Sequence, residues 1–170
     1  MAVGPAMSGA VRYAADLAKK NSEALSFIPT PRLEQYHRDG QLLLATENDE
    51  PCGFVVFGCG WPLLKVFQAC IQYDARRRHA GLELVSRLRG IAEGNRQDIA
   101  LWCADDLDAN DFWRAAGFAL VGRKSGGVRR GRMLNGWVLP VAGGSLFPFA
   151  AAFAPELVPP PTAIEGDTVE

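Results

Sequence analysis

The stretch LKVFQACIQYDARRRHAGLELVSRLRGIAEG, residues 64–94, decides how the chain is read. Leu64–Tyr73 reads as a long strand, and Asp74–Ala80 (DARRRHA) as a polar, basic loop. Gly81 then opens an amphipathic helix with Leu82, Leu84, Val85, Leu88, Ile91 and Ala92 on one face, and Gly94 is its natural stop. A strand that passes through a short basic loop into a helix builds an anion site. The first turn of a helix has unpaired N–H groups and a partial positive charge, and Arg76, Arg77, Arg78 and His79 stand beside it. Phosphate or pyrophosphate is the guest such a corner suits, although a basic loop can equally be plain solvated surface. Neither GxxxxGK[ST] nor GxGxxG occurs, which disfavours a nucleotide hydrolase or a dinucleotide enzyme.

Outward from that stretch the periodicity alternates between helix and strand. Upstream, helical spacing runs from Val11 to about Leu25. Pro31–Arg38 reads as a second helix, with Thr30 as its N-cap and Gly40 as its end. Gln41–Thr46 (QLLLAT) and Gly53–Gly58 (GFVVFG) flank the polar turn Asn48–Pro51 and read as a hairpin. Gly60-Trp61-Pro62 turns the chain into the long strand. Downstream come a strand at Asp98–Cys103, a short helix at Leu107–Ala116 closed by Gly117, and strands at Phe118–Gly122 and Arg132–Leu139. The order is α α β β β α β α β β.

The 170 residues suit one domain with a real core, and 48% apolar against 22% charged residues is an ordinary globular balance. Net charge is −1, but residues 139–170 hold Glu156, Glu165, Asp167 and Glu170 and no Lys or Arg, so the rest carries about +3. That is too weak by itself to indicate nucleic acid. Cys52, Cys59, Cys70 and Cys103 form no CxxC pair, and only two histidines occur, so no metal site is expected. Buried free thiols, a reducing cytoplasmic setting, no leader and no membrane span are the expectations. Residues 1–10 read as loose and 11–139 as the domain. Residues 140–170 form a Pro-rich apolar and then acidic tail, suited to covering an apolar patch of the core or of another subunit, as in a homodimer, or else disordered.

Taken together, the motifs resemble the GNAT superfamily of acyl-CoA-dependent N-acyltransferases. Arg78-His79-Ala80-Gly81-Leu82-Glu83 is similar to the family's pyrophosphate loop at Arg78 and Gly81, with Glu83 in place of a final small residue. Ala109-Asn110-Asp111-Phe112-Trp113 with Gly117-Phe118 resembles the segment in which an Asn precedes an aromatic pair. The resemblance spans about residues 11–139. It implies an α/β (α+β) fold with a mixed, mostly antiparallel sheet, a splayed central strand and flanking helices. It also implies acetyl-CoA or another acyl-CoA as cosubstrate, no metal, and a primary amine as acceptor, attacked directly.

Residue by residue, the resemblance implies that backbone groups of Ile71, Gln72 and Tyr73 bond the pantetheine arm. Arg78, His79, Ala80, Gly81 and Leu82 would hold the pyrophosphate, and Asn110 would lie near the thioester. Trp113 stands where many relatives have a Tyr that protonates the departing thiolate. An indole N–H donates but does not titrate, so Trp113 reads as a packing or cofactor-contacting aromatic. Candidates for the general base are Glu34 and His37 on the second helix, Glu83 and Asp74. The stretch 123–132 carries five basic residues, which suit a solvated turn, an acidic or nucleic-acid partner, or the phosphates of the cofactor. Alternative readings are a base-modifying enzyme of bacteriophage type acting on DNA, and a GNAT-like domain that binds acyl-CoA or a partner without turnover.

Overall fold

The computed structural model describes residues 8–76, 79–126 and 131–143. Arg77, Arg78, the 127–130 tip and the segment 144–170 lie outside the described residues, as does most of the stretch expected to be loose at the start of the chain.

Helix α1 (Gly9–Lys20) starts where Ser8 Oγ accepts the Val11 N–H at 3.2 Å, and it buries Val11, Ala14 and Leu17. It ends before Leu25, because Asn21 Nδ2 donates to Leu17 O at 2.9 Å and caps the last turn. Helix α2 (Thr30–Arg38) buries Leu33 and Tyr36, and its cap position is Pro29, one residue earlier than expected. Strands β1 (Leu42–Glu47), β2 (Glu50–Gly60) and β3 (Leu63–Ile71) form an antiparallel meander. A single 3-10 turn (Tyr73–Ala75) follows, then α3 (Ala80–Asn95). Gly94 does not stop α3. The chain leaves it through Arg96 in the left-handed region, at φ 54°. Strand β4 (Asp98–Ala104), helix α4 (Ala109–Ala115) and strands β5 (Ala119–Ser125) and β6 (Met133–Leu139) complete the order.

The six strands lie in the order β1-β2-β3-β4-β6-β5. Every pairing is antiparallel except β3 with β4. The pleat sorts side chains onto two faces. Val55, Phe57, Leu64, Val66, Ile99 and Leu101 point to one face and join Leu84, Val85 and Leu88 of α3. Phe54, Val56 and Cys70 point to the other and join Val11 and Leu17 of α1 and Leu33 of α2. The sheet is thus a mixed, mostly antiparallel layer between helices, as the resemblance implies.

The β3–β4 ladder is short. It runs from Leu63 beside Asp98 to Val66 beside Leu101 and stops there, while β3 continues to Ile71 and β4 to Ala104. The break coincides with a bulge. Val56 of β2 faces Gln68 and Phe57 faces Val66, leaving Phe67 as the extra residue. A bulge adds twist and bends its strand, so β3 turns away from β4 just beyond Val66. The Phe67 ring lies against Tyr36, centroids 5.6 Å apart, and over Gly58, where a Cβ would come within 2.8 Å of it. Glycine at 58 leaves that ring its space.

Candidate functional site

The opening between β3 and β4 gives both strands an inner edge that no strand among the described residues pairs. Gln72 N–H donates to Cys52 O at 2.8 Å, so Gln72 faces β2. Alternation then directs the backbone of Ile71 and Ala69 toward the opening. Of the three residues expected here, Ile71 faces the opening, although its carbonyl accepts from Arg76 Nε at 3.2 Å. Gln72 has spent its N–H on β2, and Tyr73 lies in the 3-10 turn with its ring 81% exposed. Ala69 was not singled out from the sequence. Only the register of β3 against β2 reveals which alternate residues face outward.

At the end of the opening stands the N-terminus of α3. Among the described residues the first helical bond is Glu83 N–H to His79 O at 2.9 Å, and the N–H groups of Ala80, Gly81 and Leu82 precede it. No side chain caps this end among the described residues. His79, an exposed non-glycine residue at φ 68°, turns the chain into the helix through the left-handed region. Ala80 is buried, Leu82 is exposed, and Arg78 lies outside the described residues. A Cβ on Gly81 would come 2.9 Å from Phe112 Cε2, so glycine here also allows α3 to pack against α4.

Asn110 is 8% exposed and its amide is fully used. Nδ2 donates to Ala104 O at 2.7 Å and Leu107 O at 2.8 Å. Oδ1 accepts from Asn135 Nδ2 at 3.0 Å and Trp137 Nε1 at 2.9 Å. Two donors and two lone pairs are all this side chain has. It therefore ties the start of α4 to the end of β4 and to β6, and holds the rim of the opening rather than reaching into it. Trp113 is 7% exposed, packed edge-on between Phe112 and Phe118 with centroids 5.0 and 5.1 Å away.

The base candidates are dispersed. Glu34 is half-buried and His37 exposed on α2, across the sheet from α3, whereas Glu83 is exposed in the first turn of α3. Asp74 is exposed in the 3-10 turn. Of the five basic residues between 123 and 132, three already have partners. Arg123 pairs with Asp105. Arg132 bonds Asp106 at 3.0 Å and Glu23 O at 2.6 Å. Lys124 Nζ lies 4.3 Å from the centre of the Trp102 ring. Arg132 therefore straps the α1–α2 connection to the loop after β4, a structural duty that the basic composition did not reveal.

None of the cysteines is a ready nucleophile. Burial pushes all four thiols up, Cys103 to about 11, with the Asp106 charge adding to the rise and the Trp113 indole opposing it. Among the described residues no group of three or more His, Cys, Asp or Glu could hold a metal, and no helix is long and apolar enough to cross a membrane. The Cys103 shift carries a pH signature. A thiol whose pKa is higher folded than unfolded stabilises the fold below the unfolded value near 9 and loses that contribution as pH rises toward about 11. Tyr13, pushed up to about 12 by burial, acts in the same sense at higher pH. Thermal melts at pH 8, 9.5 and 11 are expected to show a falling Tm, with a shallower fall in Cys103→Ala. Parallel slopes in the two proteins would contradict the assignment.

No family profile matches the sequence, and no curated protein matches it. Solved structures do. Ard1 from Thermoplasma volcanium is similar with a TM-score of 0.65 at 14% identity, over 75% of this chain and 88% of that one. An aminoglycoside 6'-N-acetyltransferase complexed with coenzyme A gives 0.65 at 15%, over 79% and 92%. The putative acetyltransferase yncA from Salmonella typhimurium, with acetyl-CoA, gives 0.65 at 16%, over 82% and 90%.

Proposed function

We propose that this chain, which has the fold of the GNAT N-acetyltransferases, is an acyl-CoA-dependent N-acyltransferase whose cofactor site is the opening between β3 and β4. The observation that carries this reading is the parallel ladder that stops at Val66 and Leu101 while both strands run on, followed along the chain by the N-terminus of α3, which no described side chain caps. Coenzyme A is an extended amide-bearing arm ending in phosphates. An unpaired strand edge suits the first part and free helix N–H groups suit the second. The residues present fit it: Ala69 and Ile71 offer backbone bonds to the arm, and Ala80, Gly81 and Leu82 offer N–H groups to the pyrophosphate, with the cation Arg78 two positions before Ala80 in the sequence. An acyl-CoA bound there supplies a thioester carbonyl to an amine and a thiolate as leaving group. The protein's part is positioning, through a rim fixed by Asn110 and an aromatic layer of Phe112, Trp113 and Phe118.

The test is thermal unfolding with acetyl-CoA. Binding to the folded state at 100 times Kd stabilises it by about 2.7 kcal/mol. Gly81→Val is expected to abolish the shift, because its Cβ drives against Phe112 and its branches crowd the first-turn N–H groups. No shift at millimolar acetyl-CoA would overturn the reading. Thiol release over a panel of primary amines then tests transfer. A second reading, cofactor binding without turnover, rests on Trp113 being buried between Phe112 and Phe118 with an indole N–H that does not titrate, so that this side chain is no acid for a leaving thiolate. A thermal shift without thiol release on any amine would favour it.

A further inference from the structure

Side chains alternate along β3. Leu64 and Val66 pack with α3, so Leu63, Lys65 and Phe67 stand on the other face, where the Phe67 ring meets Tyr36 of α2. Across the ladder from Lys65 and Leu63 are Gly58 and Gly60 of β2. Glycines bring no side chain, so the space between α2 and the β2–β3 hairpin stays open. Even a Cβ added to Gly60 would meet nothing within 4 Å. The result is a groove of about 580 Å³, lined by Trp61, Leu63, Lys65 and Phe67 of the hairpin and by Arg32 and Tyr36 of α2. Small-molecule sites run from roughly 300 to 1,000 Å³.

Two properties of the lining select a guest. The first is exposed aromatic surface: Trp61 is 70% and Phe67 45% exposed, and ring faces of this kind take flat rings. The second is unopposed positive charge. Arg32 and Lys65 line the groove, and its lining holds no Asp or Glu. Neither cation forms an ion pair with a described residue. The Arg32 guanidinium lies 4.7 Å from the centre of the Tyr36 ring, which steadies it without using its N–H groups. Such a fork is suited to a carboxylate or a phosphate. The groove is also apart from the edge assigned above to the acyl-CoA, because Ala69 and Ile71 pack on the α3 side of the sheet.

We propose that this groove is a second binding site, for a small aromatic anion whose ring lies on Trp61 and Phe67 and whose acid group is held by Lys65 and Arg32. The test is titration calorimetry on the full-length protein with phenylacetate and with adenosine monophosphate. Each is set beside its uncharged counterpart, phenylacetamide or adenosine, and the tighter of the two anions tells carboxylate from phosphate. At least one anion is expected to bind with a Kd below about 1 mM, and its neutral counterpart at least about tenfold more weakly. Lys65→Glu, at an exposed position, should weaken the anion by at least about tenfold. Lys19→Glu, which makes the same change of charge on exposed α1 surface, should leave it unchanged. Trp61→Ala should weaken anion and neutral counterpart alike, by severalfold. No saturable binding of either anion, equal binding of charged and neutral compounds, or a Lys65→Glu protein that binds like the parent would overturn the proposal. So would displacement of the anion by acetyl-CoA, since the two sites would then be one. A protein that ignores acetyl-CoA yet binds the anion as described would count against the cofactor site alone.

Discussion

Asn110→Leu is expected to destabilise the protein by about 3–5 kcal/mol, because it strands two donors and strips one bond from each of two carbonyls. The substitution keeps the branched shape, adds bulk and deletes every side-chain hydrogen bond. Trp137 Nε1, in a residue 1% exposed, loses its acceptor, as does Asn135 Nδ2, while the carbonyls of Ala104 and Leu107 each lose one donor and keep a backbone N–H, from Leu107 and from residue 110. A buried polar group left unpaired costs about 1–3 kcal/mol. Partial access of water to Asn135 and Leu107 and the burial of an apolar side chain offset part of the total. Equilibrium unfolding in urea measures the loss. A loss under about 1 kcal/mol, combined with weakened acetyl-CoA binding, would mean that Asn110 meets the cofactor directly and that its four bonds are incidental. The account expects the reverse order: stability falls first, and binding falls only as far as the rim loosens.

Trp113→Ala is the other large effect, again about 3–5 kcal/mol, the usual cost of emptying a site filled by a large aromatic. The ring touches Phe112 and Phe118 edge-on, so its removal opens the layer between α4 and the sheet. Trp113→Tyr keeps a ring between the same two partners and is expected to cost less than about 1.5 kcal/mol. If the chain transfers acyl groups as proposed, turnover of the Tyr variant stays within about tenfold of the parent, a barrier change of about 1.4 kcal/mol. Its pH–rate profile gains no basic limb. A large rise in turnover with a new apparent pKa near that of a phenol would instead show that position 113 lies where a leaving thiolate emerges.

The order of elements was legible because the period switches cleanly between helix and strand, and because Gly and Pro punctuate the switches. Boundaries slipped where a local bond decided them. Asn21 ended α1 ahead of Leu25, and Arg96 in the left-handed region, not Gly94, ended α3. The corner at Gly81 was readable because its ingredients are contiguous: strand, basic loop, helix start. The opening was reached only through the resemblance, which implies a splayed central strand; periodicity does not show it, since it depends on Phe67 being the extra residue opposite β2, a matter of register between strands. The same holds for Ala69, which only that register turns toward the opening. The use made of Asn110 was hidden for a related reason. The donors to its Oδ1, Asn135 and Trp137, lie on β6, 25 and 27 residues further along the chain. Three basic residues between 123 and 132 looked available for a partner and turned out to be engaged with Asp105, Asp106, Glu23 and Trp102.

Amide hydrogen exchange with and without saturating acetyl-CoA tests the central claim most directly, because it reports where the cofactor lies and not merely that it binds. The account predicts protection concentrated in two stretches, residues 69–72 at the inner edge of β3 and residues 80–83 in the first turn of α3. The groove lined by Trp61, Leu63 and Lys65 should exchange as before. Protection centred on residues 58–65, with 69–72 and 80–83 unchanged, would contradict it.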